Sequence, residues 1–215
     1  MTISGFIIYI NNMKSLSEID TTSKRASRAS GFSWGIAEEV GKNIRLLELF
    51  GLPGVKNLTQ YYLDRKSKKY EDLKIINQKN ISNTLAFCPI IAGTSFLDQS
   101  KKIEDFKELT FENLAYPLLF LPFLSRSSEL IGKKISLAFD KNQFLMNLNV
   151  NILINNYPGQ IIPLAKKLEV KILDNEDSFT EIEWKNLYTL SEETFVEETE
   201  SLKQSGAGAG LTDND

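Results

Sequence analysis

Apolar residues recur along this chain at two different spacings, and the change of period divides it. Up to about residue 75 the spacing is helical. Ser15 and Glu18 have the spacing of a capping box. They open a first helix over about Ser15–Ala29, with Leu16, Ile19, Ser23 and Ala26 on a narrow face of mostly small residues and Lys24, Arg25 and Arg28 on the other side. Gly31 breaks it, and Ser33 caps a second helix from about Trp34 to Phe50. On that helix Trp34, Ile36, Ala37, Val40, Gly41, Ile44 and Leu47 share one half. Gly51, Pro53 and Gly54 mark its stop. A shorter helix follows, carrying Val55, Leu58, Tyr61 and Tyr62, and then a polar run over Asp64–Asp72 that reads as an exposed linker.

Beyond this point strand period enters. Leu85–Ile91 reads as a buried strand or a strand-to-loop entry. Leu114–Ile131 reads as a helix, either kinked at Pro122 or split in two, with Pro117 in the first turn and Pro122 opening the second piece; Gly132 stops it. Ile135, Leu137 and Phe139 alternate with small or polar neighbours, and Asp140–Asn142 is turn chemistry. Met146, Leu148, Val150, Ile152 and Ile154 then alternate with Asn147, Asn149 and Asn151, which predicts one strand paired as a hairpin with the preceding one. Val170 and Ile172 suggest a further strand, and Ile182–Leu190 a short helix. The expected fold class is α+β: an N-terminal helical layer packed on a small, mainly antiparallel sheet built around 134–154 and 169–173. The organisation expected is an arm or upstream-start extension over 1–12, a helical part over 13–75, an α+β part over 76–205 and a Gly/Ala-rich acidic tail over 206–215.

Composition narrows the chemistry mainly by absence. The 215 residues include no histidine and one cysteine, Cys88. Histidine-dependent nucleophilic triads, histidine-ligated zinc and a cysteine-rich structural zinc site are therefore excluded within this chain. A lone cysteine fits a reducing compartment, and the cytoplasm is the expected location. With a net charge of −3 and a pI near 5.3, there is no global basic field for nucleic acid or an anionic membrane. Lys24, Arg25 and Arg28 form at most a local basic patch. No apolar run approaches the roughly 20 residues that span a bilayer.

Three groups could carry chemistry. On the second helix Glu48 interrupts the apolar face, with Arg45 and Glu38 at its edge and Gly41 between them. Arg45, three residues before Glu48, is the natural ion-pair partner and would brace helix packing. Alternatively, Gly41 floors a polar pocket in which Arg45 holds an anionic ligand and a Glu acts as base. Cys88-Pro89, followed by Ala92-Gly93-Thr94 and Asp98, holds either an inert core cysteine or a ligand or nucleophile, the latter activated by a cation or a helix N-terminus. In the tail, Gly206, Gly208 and Gly210 lack the strand–helix context of a phosphate loop. Asp213 and Asp215 offer oxygen ligands of the kind hard cations take, but without the spacing of an EF-hand loop. No metal and no cofactor are assigned.

The stretches SLSEID…KRASRASGFSWGIAEEVGKNIRLLELFGLPG, CPIIAG and SGAGAGLTDND resemble a bacterial family, domain-of-unknown-function family 3726, over about Met13–Asp215. The resemblance implies that the Gly-Ala tail is a family feature and leaves 1–12 outside the family's pattern; it brings no reaction, fold or cofactor. A fainter likeness of Ala37–Tyr62 to the lactate/malate dehydrogenases that lack a Rossmann fold stops at Gly51-Leu52-Pro53-Gly54, where that family has Ser-His-Gly. No activity is carried over from it.

The functional expectation is a small-molecule-binding or accessory protein for a metabolic enzyme. Its partner would be a small anionic metabolite or that enzyme, with self-association open and neither nucleic acid nor membrane expected. The alternative is a small enzyme using carboxylate and arginine chemistry, with Glu38, Arg45 and Glu48 as its polar centre.

Overall fold

The computed structural model of the protein describes residues 13–147, 151–155, 157 and 159–194. They divide into two units between Asn175 and Glu176. The predicted Gly-Ala tail, with Asp213 and Asp215, and the arm over 1–12 lie outside the described residues.

The first unit begins with three helices, α1 (Leu16–Ala29), α2 (Trp34–Leu49) and α3 (Gly54–Asp64). The capping box at α1 is present: Ser15 Oγ accepts from the Glu18 N–H at 3.1 Å, and Glu18 Oε2 accepts from the Ser15 N–H at 2.9 Å. The small residues of α1 bring α2 close, as their size requires. A Cβ on Gly41 would lie 2.6 Å from Asp20 Oδ1 and 2.9 Å from the Asp20 carbonyl, so this glycine is the point of closest approach between the helices. Trp34 departs from its predicted place on the apolar half. It is 58% exposed, and the Arg28 guanidinium lies 5.4 Å from its ring centre.

Next come β1 (Lys79–Asn80), α4 (Pro89–Asp98), α5 (Ser100–Ile103), β2 (Glu108–Ala115), a 3-10 turn (Pro117–Leu119) and α6 (Leu121–Ile131). The unit continues with β3 (Lys134–Phe139), β4 (Asn142–Met146), β5 (Ile152–Asn155) and β6 (Leu164–Leu173). The strands form one sheet in the order β1-β2-β6-β3-β4-β5. Its pairings are antiparallel except β1 with β2, so the sheet is mixed rather than purely antiparallel. The fold is α+β. In the second unit, α7 (Glu181–Glu192) opens on its own capping box between Thr180 and Glu183.

Alternation gives the sheet one apolar face. Leu109 and Phe111, Ile135 and Leu137, Phe144 and Met146, and Leu168 and Val170 point inward and are buried. α6 packs on β3 and β4, and α4 on α6. Phe111 of β2 meets Phe120 at 5.1 Å and Phe96 of α4 at 6.5 Å between ring centres. α2 reaches this layer through α4 and α6, and α3 through the 3-10 turn.

Three expected elements change. The apolar run at Leu85–Ile91 leads into helix α4, because Pro89 occupies its first turn, where no N–H is needed, and Cys88 supplies the cap. Leu114–Ala115 end a strand, and the helix beyond is split, with α6 opening at Leu121-Pro122 and closing on Gly132 at φ +68°. Of the predicted strand over 146–154, residues 148–150 lie outside the described residues, and on either side of them β4 ends at Met146 and β5 begins at Ile152. Asn147 and Asn151 meet between the two strands: the Asn147 N–H donates to the Asn151 carbonyl, and the Asn151 N–H to Asn147 Oδ1, both at 3.3 Å.

The α4–α6 contact depends on one missing side chain. A Cβ on Gly93 would stand 2.1 Å from the Phe123 ring. Despite a gain of about 1 kcal/mol in helix propensity, Gly93→Ala is expected to cost about 1–3 kcal/mol net through overpacking. It would be read as a lower urea midpoint at unchanged m, with a coupling to Phe123→Leu in a double-mutant cycle.

Candidate functional site

The residues singled out on α2 do not converge. Glu38 is exposed and pairs with Lys24 of α1, Oε1 to Nζ 2.9 Å, which holds its carboxyl below the usual range. Glu48 turns away from Arg45 and accepts from the Val55 N–H at 2.8 Å. Pro53, at the α3 N-cap, makes no side-chain cap, so Glu48 does that work from the neighbouring helix, with its negative charge at the positive end of the α3 dipole. The expected Arg45–Glu48 ion pair is thus absent, because the carboxylate has a geometrically better donor in a backbone amide. Gly41 faces Asp20 and Lys24 of α1 and is not among the residues lining the depression beside Arg45.

Arg45 stands elsewhere, exposed and without an ion pair among the described residues. With Lys42, Leu46 and Leu49 of α2 and Arg126 and Glu129 of α6 it lines a shallow depression of about 260 Å³. Two of its three cations are fixed from beneath by Glu39, which pairs with Lys42 at 2.9 Å and with Arg126. Arg126 Nη1 also lies 3.5 Å from Oδ1 of the buried Asn43. Burial alone would raise the Glu39 carboxyl, but the hydrogen bonds and charges of Arg126 and Lys42 outweigh it and hold the group below the usual carboxylate range. Glu39 was missed in the sequence beside Glu38. Its signal was the stripe it forms with Asn43, four residues on, but the partner lies 87 residues away.

Cys88 lies in a second polar cluster. Successive turns of α3 carry Tyr61, Tyr62, Asp64 and Arg65 into the space between α1, the start of α4 and Tyr116. Tyr61 and Cys88 are fully buried, their Oη and Sγ 2.9 Å apart. Arg65 Nη1 donates to Tyr61 Oη at 3.1 Å, and its guanidinium stacks 4.6 Å from the Phe32 ring centre. Tyr62 donates to Ser27 Oγ at 2.6 Å, and Tyr116 to Asp64 Oδ2 at 2.9 Å. Tyr70 stands 5.1 Å from Tyr61, ring centre to ring centre. Cys88 Sγ accepts from the Ile91 N–H at 3.4 Å, as a helix cap. Burial pushes the Cys88 thiol and the Tyr61 phenol upward, and raises Tyr70 to about 12. These groups therefore keep their protons at neutral pH. At rest the cluster is a set of satisfied hydrogen bonds, and its thiol is not a thiolate. In the sequence Tyr61 and Tyr62 show only the spacing of a helical stripe.

Residues 14–86 match the family model described as a protein of unknown function (DUF3726). This N-terminal region belongs to the DUF3726 family. It takes in α1, α2 and α3, and hence Glu38, Arg45, Glu48 and the α3 tyrosines; Cys88, Arg126 and the Gly-Ala tail lie beyond the DUF3726 match. No curated protein and no solved structure matches the chain significantly. Among the described residues, no group of three or more acidic or cysteine side chains could hold a metal ion, and no helix is long and apolar enough to cross a membrane.

Two outcomes follow. Removing the Glu39 charge with Glu39→Gln is expected to cost about 1–3 kcal/mol, the range for hydrogen bonds to charged groups. Because the folded pKa is depressed, this contribution is present above the unfolded value of about 4.3 and disappears as pH falls through the folded one. The wild type and Glu39→Gln should therefore converge in melting temperature on acidification. Cys88 should resist a thiol-specific disulfide reagent in the native state at pH 8 and react at a rate that tracks unfolding in a urea series.

Proposed function

We propose that the protein is a cytoplasmic binding or accessory protein for a metabolic enzyme, and that it takes a small anionic ligand in the depression between α2 and α6. The observation that carries this reading is the state of Arg45. It lines the depression without an ion pair among the described residues, while Lys42 and Arg126 beside it are held in place by Glu39. A carboxylate or phosphate would find one cation free to close on it and two already oriented. Leu46 and Leu49 supply an apolar floor, and Glu129 on the rim disfavours a highly charged anion. The binding reading is favoured over a catalytic one by the chemistry of the buried cluster, whose thiol and phenols retain their protons. A reducing compartment suits the free, buried Cys88.

A thermal-shift screen of monocarboxylates, dicarboxylates and sugar phosphates tests the proposal. A hit should raise the melting temperature of the wild type, and Arg45→Ala should weaken that ligand about 10-fold or more, the loss of one charge-assisted contact. The ligand-free stability of the variant should stay within about 0.5 kcal/mol, since Arg45 is an exposed position. A ligand that shifts wild type and Arg45→Ala equally would remove Arg45 and this depression from the reading.

A further inference from the structure

The outer face of the sheet is divided by charge. On β2 and β6 it carries Glu108, Glu112, Lys167, Glu169 and Lys171, with Lys167 paired to Glu169 at 2.7 Å and Lys171 to Glu108 at 3.9 Å. At the other end, β4 and β5 carry no charge: Gln143 and Leu145 on β4 stand opposite Asn155 and Leu153 on β5. On this face Leu153 is 58% exposed, and Ile154, on the opposite face beside Phe144, is 44% exposed. These two strands and Ser136 line an open depression of about 360 Å³.

β5 is also an edge. Among the described residues its one strand partner is β4, so alternate residues turn their N–H and C=O outward in the spacing of an antiparallel ladder. Edges are ordinarily guarded by lysine, proline, a bulge or extreme shortness. The opposite edge, β1, is two residues long. β5 has four residues, and from Asn151 to Asn155 the chain contains no charged residue and no proline.

We infer that β5 pairs antiparallel with β5 of a second copy of this chain, joining two six-stranded sheets across a two-fold axis. The charge pattern selects this occupant. A two-fold axis sets each side chain against or beside its own image, so a charged edge would repel itself, and an uncharged edge is what self-pairing requires. An unlike partner held by charge would need the complementary pattern, and that pattern lies at the far, β2–β6 end of this face. With the axis perpendicular to the sheet, Leu145 and Leu153 of both copies form one continuous apolar strip, and Leu153 of the second copy closes the open side of the depression. This surface is separate from the α2–α6 depression and does not rest on the ligand reading.

Light scattering on the full chain after size exclusion, over about 1–500 μM, tests the pairing. The wild type is expected to move toward twice the 24.4 kDa chain mass as concentration rises. Leu153→Lys and Leu153→Glu should each stay monomeric, and a mixture of the two should dimerise again. Glu112→Lys, on the charged half, should leave the dimer intact. If circular dichroism shows a Leu153 variant to be unfolded, Asn155→Lys and Asn155→Glu carry the same test. A wild type that is monomeric throughout overturns the inference. So do dimers that survive a charge at these positions, and a mixture that fails to associate.

Discussion

One apolar sheet face has to be covered, and most of the structure follows from how that is done. The inward residues of β2, β6, β3 and β4 form a continuous hydrophobic surface. A helix placed on it must itself be apolar toward the sheet and able to accept a second helix closely alongside. α6 meets the first need with Leu121 and Leu124, which join the core, and α4 meets the second by having no side chain at Gly93, where the Phe123 ring fits. The N-terminal helices then have a mostly hydrophobic layer to dock on, rather than the sheet itself. Burial of each large apolar side chain is worth about 1.5–3 kcal/mol, so this layering outweighs any single polar contact on the surface.

Polar groups drawn into the layers are satisfied locally or in clusters. Tyr61 is the clearest case, with its ring in the core and its hydroxyl between a thiol and a guanidinium. Arg65 reaches that hydroxyl while its flat face covers Phe32 and Tyr61, which a lysine could not do. Asp64, one residue earlier, receives Lys68, Gln60 and Tyr116 and is held below the ordinary carboxylate range, by Lys68 first. The end of α3 is thereby tied to a residue 52 positions away.

Local signals were legible and distant ones were not. Ser15 with Glu18, Ser33 and Gly51 declared the helix ends because caps and stops are written within four residues of one another. The α+β class and the one-faced strands were legible for the same reason, in the alternation of Ile135, Leu137 and Phe139. Glu48 misled because an acid three residues after an arginine looks paired along its own helix, whereas a free amide at Val55 lay closer to its carboxylate. Asn147 and Asn151 looked like a strand's polar face, although asparagine is also turn chemistry, and alternation alone cannot separate the two. Strand β2 is hidden in the sequence because its last two residues, Leu114–Ala115, run on into the apolar stretch of α6. The meeting of Glu39 with Arg126, and of Tyr61 with Cys88, depends on tertiary structure and has no local pattern to read.

The place of β6 has a consequence for how the chain is made. Among the described residues it is the last strand in sequence, yet it lies between β2 and β3. Until about residue 173 has been synthesised, β2 has no antiparallel neighbour, and β3 has only its hairpin with β4. A nascent chain that has emerged through β5 therefore holds two half-sheets with unpaired edges and an apolar face that α4 and α6 cannot yet close over. Long-range strand pairing of this kind slows folding and leaves edges open to other chains. The ribosome-bound stage before β6 emerges is where this protein would most need a chaperone.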